Sequence, residues 1–252
     1  MLESIWIFPV LFATGLTAGL VDSMAGGGGL LTLPVLLSMG LSPHAALGTN
    51  KFQSSFGSFT ATMYYRKHNA VSIREGLTGV IFTAIGTILG AWLVQQINSD
   101  ILAHIIPWLL LAIAIYTFIT PKFSDIDSAA KLPQNVFFVL FGLLFGFYDG
   151  FFGPGVGSFW AFAFVILLGY NLRKATGFTK LMNFTSNIVS VVMFLIGGNV
   201  WFLISLVMGA GQIVGSVIGA HLVIRKGAKL IRPVFITIVI LTTLKLLYQN
   251  YF

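Results

Sequence analysis

The chain is a duplication whose two copies carry their basic residues in opposite places. Shifting residues 40–94 forward by 129 positions lays Gly40 on Gly169, Gly48 on Gly177, Lys51 on Lys180, Gly86 on Gly215, Gly90 on Gly219 and Ala91 on Ala220. Upstream, with a two-residue slip, Gly19, Asp22, Gly26 and Gly28 fall on Gly146, Asp149, Gly153 and Gly155. Apolar repeats of more than about a hundred residues point to membrane transporters, since solenoid repeats run only about 20 to 50 residues. The duplication predicts a first repeat over 1–121, a linker over 122–133 and a second repeat over 134–252.

Composition closes off a water-soluble fold. Hydrophobic residues make up 57% and charged residues 8%, with a mean hydropathy of +0.94, whereas globular domains carry about 25% charged residues. A net charge of +7 is common in nucleic-acid binders, but here the 14 Lys and Arg stand singly or in pairs between apolar runs, which is the pattern of topology signals. No nucleic-acid partner is expected. The absence of cysteine excludes disulfides, thiolate metal sites and a thiol nucleophile. The first apolar stretch follows Glu3 rather than a basic residue and is expected to belong to the mature protein.

Each copy reads as five apolar segments, giving an all-α polytopic membrane protein. They are predicted over 5–21, 30–40, 45–65, 75–95 and 101–120, then 134–148, 156–169, 175–196, 200–223 and 230–248. The last three of each set approach the ~20 residues that cross ~30 Å of hydrocarbon as a helix. The first two are shorter and flank a Gly-rich stretch. Backbone that leaves helical geometry at membrane depth is tolerated only inside protein or beside water.

The loop after the third segment carries Arg66, Lys67 and Arg74 in the first copy and no basic residue at its counterpart, Gly197 to Asn199. The following loop reverses this: Gln95 to Asp100 has none, and its counterpart holds Arg225, Lys226, Lys229 and Arg232. Because Lys and Arg accumulate on the cytoplasmic side, the copies are expected to sit upside down relative to each other. That needs an odd number of crossings per copy, either five or three plus a re-entrant hairpin. Lys122, Lys131, Arg173 and Lys174 fall on the same side, and both termini are predicted on the extracytoplasmic side. Lys245 lies near the outer end of the last segment.

Lys51 and Lys180 remain, within the third segment of each copy. A lysine near a helix start can snorkel to the interface, but these two have polar helical neighbours. Steps of three and four residues along one face pass Ser54, Ser58 and Ala61 from Lys51, and Asn183, Asn187 and Ser190 from Lys180. Hydrogen bonding between helices would explain the Ser and Asn but not the lysines, and an intramembrane charge is by default a functional-site candidate. Gly26, Gly27, Gly28 and Gly29 after Asp22, and Gly153 and Gly155 after Asp149, let the backbone turn tightly and leave N–H groups free at the start of a half-helix to attract an anion. No Gly-Lys-Ser/Thr ending follows, so a nucleotide loop is not indicated. Asp22 and Asp149 are expected to be paired, hydrated or protonated, which makes them proton-coupling candidates, structural partners of the lysines, or caps on the free N–H groups. The four histidines show no metal-ligand spacing, and no catalytic set can be assembled.

Residues 18–34, AGLVDSMAGGGGLLTLP, followed by ALGTNK at 46–51, resemble the first-copy signature of the TauE/SafE sulfite exporter family. The likeness extends over the whole chain, through the weaker second copy at 149–157 and 177–180, where Pro154 and Val156 interrupt the glycines. The resemblance implies transport of small sulfur-containing anions such as sulfite, sulfonates or sulfoacetate in the bacterial inner membrane, without ATP hydrolysis. The combined expectation is a secondary transporter, not an enzyme, with no cofactor. Its anion would bind near the midplane between the copies, held by Lys51, Lys180, Asn50, Thr179, Gln53, Ser54, Asn183 and the glycine-turn N–H groups. An anion channel, or a transporter of small carboxylates, is the alternative. Oligomeric state is open.

Overall fold

The structure is a computed structural model that describes residues 6–119 and 127–226; the tenth predicted segment, with Lys229, Arg232 and Lys245, and also Lys122, lies outside the described residues. Nine helices are found among the described residues: α1 (Ile7–Ala25), α2 (Gly29–Ser38), α3 (Pro43–Lys67), α4 (Leu77–Gln96), α5 (Ser99–Ile119), α6 (Gln134–Phe151), α7 (Val156–Leu168), α8 (Leu172–Ile196) and α9 (Phe202–Lys226). Windows in α1, α4, α6, α8 and α9 are long and apolar enough to cross a bilayer. α3 has the length but is more polar, because its sequence carries Asn50, Lys51, Gln53, Ser54, Ser55 and Ser58. It is sheltered instead by α8 and α9, against which it packs most heavily.

Corresponding helices start by the same device. Ser42 caps α3 by accepting from the Ala45 N–H at 3.4 Å, and Asn171, 129 positions on, caps α8 by accepting from the Lys174 N–H at 2.9 Å. α3 and α8 then run antiparallel. The Arg173 guanidinium donates to the His68 carbonyl at one end, and the Trp201 N–H donates to the Thr49 hydroxyl near the other. Midway, Asn187 donates to Ser58 at 3.2 Å, and these two residues are equivalents under the 129-residue shift.

The closest helix pairs also come in matched sets. α1 packs along α9, and α6 along α4. A Cβ added at Gly86 would overlap the Leu143 carbonyl, just as one at Gly215 would overlap the Leu16 carbonyl, the corresponding contact. Thr87 donates to the Gly146 carbonyl at 3.1 Å, and its equivalent Ser216 donates to the Gly19 carbonyl at 3.3 Å. Small residues are used here to bring helix backbones together, as in membrane helix pairs generally. The two sequence halves are therefore interlocked, each lending its first helix to the other. Antiparallel equivalents and exchanged partners support an inverted arrangement.

These contacts also give each helix a direction. α1 enters from the Thr49–Trp201 end, and α2 returns to that end to start α3. α6 enters from the His68–Arg173 end, where Gln134 donates to the Glu75 carbonyl, and α7 returns to it. Both pairs are helical hairpins in which the first arm, α1 or α6, is long enough to cross a bilayer and the second, α2 or α7, is shorter. α1 is longer than expected, running to Ala25 rather than residue 21, because Asp22 and Ser23 stay helical inside protein. Arg66, Lys67, Arg74, Lys131, Arg173, Lys174 and Arg225 all belong to the His68–Arg173 end, and exposed Trp6, Trp92 and Trp201 to the opposite one.

The buried apolar residues form two clusters separated by depth. One joins Ala45 to Leu47 of α3, Ala91 and Val94 of α4, Phe194 of α8 and Ile204 and Met208 of α9 around α2. The other joins Ala61 and Tyr65, Phe137 and Phe138, Phe178, Leu181 and Met182, Ala220 and Val223 around α7. Between them lie buried Lys51, Ser58, Thr83, Thr87, Asp149, Asn183, Ser186, Gln212 and Ser216. The polar residues thus form a layer between two apolar caps. On the outside, Leu77, Ile81, Ile85, Ile88 and Leu89 of α4, and Leu206, Val214, Val217 and Ile218 of α9, are exposed, as lipid-facing surfaces require.

Because the chain has no cysteine, single cysteines at His68 and Gly198 can be labelled without background. An impermeant maleimide applied to intact cells or sealed inverted vesicles is expected to reach them from opposite sides of the membrane. Labelling of both from one side would contradict the described packing.

Candidate functional site

Lys51 and Lys180 each lie eight residues beyond the start of a 25-residue helix, so at 1.5 Å per residue they sit about 12 Å from its end. Neither reaches the surface: Lys51 is 2% and Lys180 0% exposed. Each instead meets the aspartate of the other copy. Lys51 donates to the Asp149 carboxylate and to the Asp149 carbonyl, and Lys180 donates to Asp22 Oδ2 at 2.8 Å. The duplication converts one pair into the other. Removing one partner of a buried ion pair costs about 3–5 kcal/mol, because the remaining charge is left in a low-dielectric interior.

The two carboxylates reach their remaining hydrogen bonds differently. Asp22 Oδ1 accepts from the Gly27 and Gly28 N–H groups at 3.1 and 3.3 Å, closing the glycine turn before α2. Asp149 cannot do the same, since the position matching Gly27 is Pro154, which has no N–H. Its second oxygen accepts from the Ser186 hydroxyl instead. The position matching Ser186 is Gly57, so the first copy has no such hydroxyl. The Asp149 side chain is sealed at 4% exposure, while that of Asp22 is 18% exposed.

A cavity of about 30 Å³ lies between the hairpin tips, lined by Asp22, Gly27, Gly29, Asn50, Lys51, Ser54, Asp149, Gly153, Pro154, Gly155, Val156, Gly157, Asn183 and Asn187. That is room for one or two waters. Of the sequence-predicted site residues, Lys180, Thr179, Gln53, Gly26 and Gly28 do not line it. Lys180 stands beside Asp22, and Asn183, with its amide oxygen turned toward the ammonium, accepts from Lys180 at 3.2 Å. Gln53 donates to Asn50 at 3.0 Å and to Ser54 at 2.8 Å, while Thr32 donates to Asn50 from α2. Thr179 Oγ1 and Gln53 Oε1 are buried without hydrogen-bond partners among the described residues. The Gly26 carbonyl accepts from Ser158 at 2.9 Å, which ties the first hairpin tip to the start of α7.

Two glycines are required by geometry. Gly153 has φ +95°, and a Cβ there would lie 2.6 Å from Lys51 Nζ and 2.8 Å from Asp149 Oδ1. Gly26 has φ +68°, and a Cβ there would overlap Gly157 in the opposing hairpin. Ser186, Thr32, Ser158 and Pro154 were not legible as site residues. Ser186 sits beside the polar stripe, not on it, and aligns with a glycine, so the repeat comparison conceals it.

The histidines act as end groups. His44 contacts Ser99 and the Val94 carbonyl, both at 3.0 Å, and His221 contacts the Tyr64 hydroxyl at 2.8 Å. No cluster able to hold a metal is found among the described residues. At the basic end, Glu75 accepts from Tyr170 at 3.1 Å and pairs with Lys174 at 2.9 Å. Burial, helped by Glu75, pushes the Tyr170 phenol well above its ordinary value and keeps it a neutral donor.

An all-helical bundle with five helices of membrane-crossing length among the described residues, an apolar exterior and a buried charged layer is a multi-pass membrane protein, and its relatives place it among membrane transporters. The chain belongs to the sulfite exporter TauE/SafE family, whose model matches residues 11–246. A probable membrane transporter protein, YfcA, of Escherichia coli strain K12 is 43% identical over 96% of this chain and 90% of its own length. A probable membrane transporter protein of Haemophilus influenzae is 42% identical, covering 97% and 96%. The Bacillus subtilis probable membrane transporter protein YunE is 25% identical over 97% and 99%. No solved structure matches the chain.

Replacing Gly153 with Ala is expected to separate Lys51 from Asp149 and lower the thermal midpoint of the purified protein by several degrees. The same change at Gly198, which has open space around it, should cost much less despite a comparable φ of +69°. Equal losses at both positions would show that the ion pair is not the constraint on Gly153.

Proposed function

We propose that this protein is a secondary transporter of small anions, with sulfur-containing oxyanions such as sulfite and sulfonates as the expected class, working in the bacterial inner membrane with its basic end toward the cytoplasm. The observation that carries this reading is the pair of buried lysines, each held by the aspartate of the opposite copy, with both aspartates and Lys51 lining a polar cavity. A structural scaffold has no use for four ionisable groups at that depth, and such groups in transporters mark ion pathways. The hairpin tips place half-helix N-termini beside the same cavity, which favours an anion further.

A polar layer between two apolar caps suits alternating access. Opening one cap hydrates the polar layer from one side while the other cap keeps it sealed. The helices that would move together are those that pack together, α1 with α9 and α6 with α4, not the two sequence halves. Opening then acts on the cross-copy ion pairs, which gives a direct route from anion occupancy to conformation. Protonation of an aspartate frees its lysine, so proton coupling belongs to the same reading.

Proteoliposomes loaded with unlabelled sulfite are expected to show saturable accumulation of labelled sulfite by counterflow. Lys51→Gln or Lys180→Gln should reduce it at least tenfold while folded protein remains. Non-saturating flux without counterflow would identify a channel, and wild-type flux in both variants would remove the lysines from the site. A parallel series with thiosulfate, methanesulfonate and acetate assigns the anion class.

A further inference from the structure

The two aspartates are equivalents under the duplication, yet only Asp22 accepts from the N–H groups of its glycine turn. Lys180 Nζ and the Gly27 and Gly28 N–H groups converge on Asp22, at 2.8, 3.1 and 3.3 Å. One ammonium and two backbone N–H groups at the start of a ten-residue helix are the donors that a free oxyanion would use. The ammonium is fully buried, and the cavity of about 30 Å³ opens onto both Asp22 and Gly27. In the second copy, Pro154 removes the donor that matches Gly27, and Asp149 is committed to Lys51 and Ser186. No equivalent nest forms there.

We propose that Lys180, Gly27 and Gly28 form the oxyanion site of the transporter, that the Asp22 carboxylate fills it as a tethered surrogate in this conformation, and that the transported anion takes its place when Asp22 takes up a proton. The assignment rests on the transporter reading and adds to it a coupling residue and a stoichiometry. Before exchange, Asp22 carboxylate and Lys180 ammonium sum to zero. Afterwards the protonated acid is neutral, and the ammonium is matched by a monoanion. One proton enters with one anion, the ammonium keeps its charge throughout, and no buried net charge is created, as a low-dielectric site requires. Asp149 stays paired with Lys51 and Ser186, which ties the second hairpin to α3 and α8.

The charged and titratable groups facing Asp22 are few. α8 presents Lys180. α3 presents Tyr65, whose hydroxyl donates to the Ser23 carbonyl at 2.9 Å, and Lys51 with Asp149 lies across the cavity. The elements packed beside the Asp22 neighbours Gly19 and Gly26 contribute Gln212 and Ser216 of α9 and Gly157 and Ser158 of α7, none of which titrates.

The test is binding of methanesulfonate, which stays a monoanion at every relevant pH, to purified wild-type protein and to Asp22→Asn and Asp149→Asn between pH 5 and 8. One-proton linkage predicts that wild-type affinity weakens about tenfold per unit rise in pH above the titration of Asp22. Asp22→Asn should bind without pH dependence, and at pH 8 at least tenfold more tightly than wild type. Asp149→Asn should retain the slope. Should Asp22→Asn not fold, calorimetry of the wild type in two buffers of different ionisation enthalpy must read about one proton taken up per anion bound. A wild-type affinity flat with pH, a slope that persists in Asp22→Asn or vanishes in Asp149→Asn, a proton count of zero, or no methanesulfonate binding would each overturn the assignment. Saturable sulfite counterflow would still stand in those cases, so failure here is distinct from failure of the transporter reading.

Discussion

A charge that leaves water for the interior of a membrane protein must be neutralised where it stops, and two lysines of this chain stop about 12 Å inside their helices. Neutralisation comes from the other copy of the duplication in both cases: Lys51 meets Asp149, and Lys180 meets Asp22. Much of the architecture follows from that exchange. Each aspartate reaches the opposite lysine from near the end of the first arm of a helical hairpin, just before a glycine-containing turn. The hairpins need a wall to pack on, and each finds it in a helix of the other half, α1 on α9 and α6 on α4, through backbone contacts that only small residues permit.

The same constraint divides the interior into three layers. Leu, Ile, Phe and Ala fill a cap at each end, and Ser, Thr, Asn and Gln collect with the ionisable residues between them. A polar layer under a single permanent seal would be a dead end, and one without seals would be a pore. Two seals made from equivalent segments are what the proposed alternating access would open in turn. The differences between the copies then carry the chemistry. Pro154 in place of Gly27, and Ser186 in place of Gly57, leave one carboxylate held by a hydroxyl and the other by backbone N–H groups, both at the cavity.

Much of this was legible in the sequence because duplication reports on itself. Lys51 and Lys180, Asp22 and Asp149, and the glycine turns stood out as positions where two otherwise apolar copies agree on something polar or conformationally special. The reversal of basic loops anticipated the antiparallel run of α3 and α8. What stayed hidden was which partner each charge would choose, because helical periodicity orders residues along one helix and says nothing about the crossing of two. Ser186 and Thr32 were missed for the same reason: each matters only through a partner on another element. Gln53 and Thr179 were expected to face an anion, and the structure turns Gln53 toward Asn50 and Ser54 and leaves the Thr179 hydroxyl buried outside the cavity lining. The length of α1 was underestimated because Asp22 and Ser23 look like a helix end in lipid, whereas inside protein they continue one.

The claim on which the account turns is that each intramembrane lysine is neutralised by the aspartate of the opposite copy. A double-mutant cycle on Lys51→Met and Asp149→Leu, read from the reversible unfolding of the purified protein, measures it directly. Each single change should cost about 3–5 kcal/mol, and the double change little more than one of them, giving a coupling of at least about 2 kcal/mol. Losses that simply add would mean that the two side chains do not meet, and the account would be wrong.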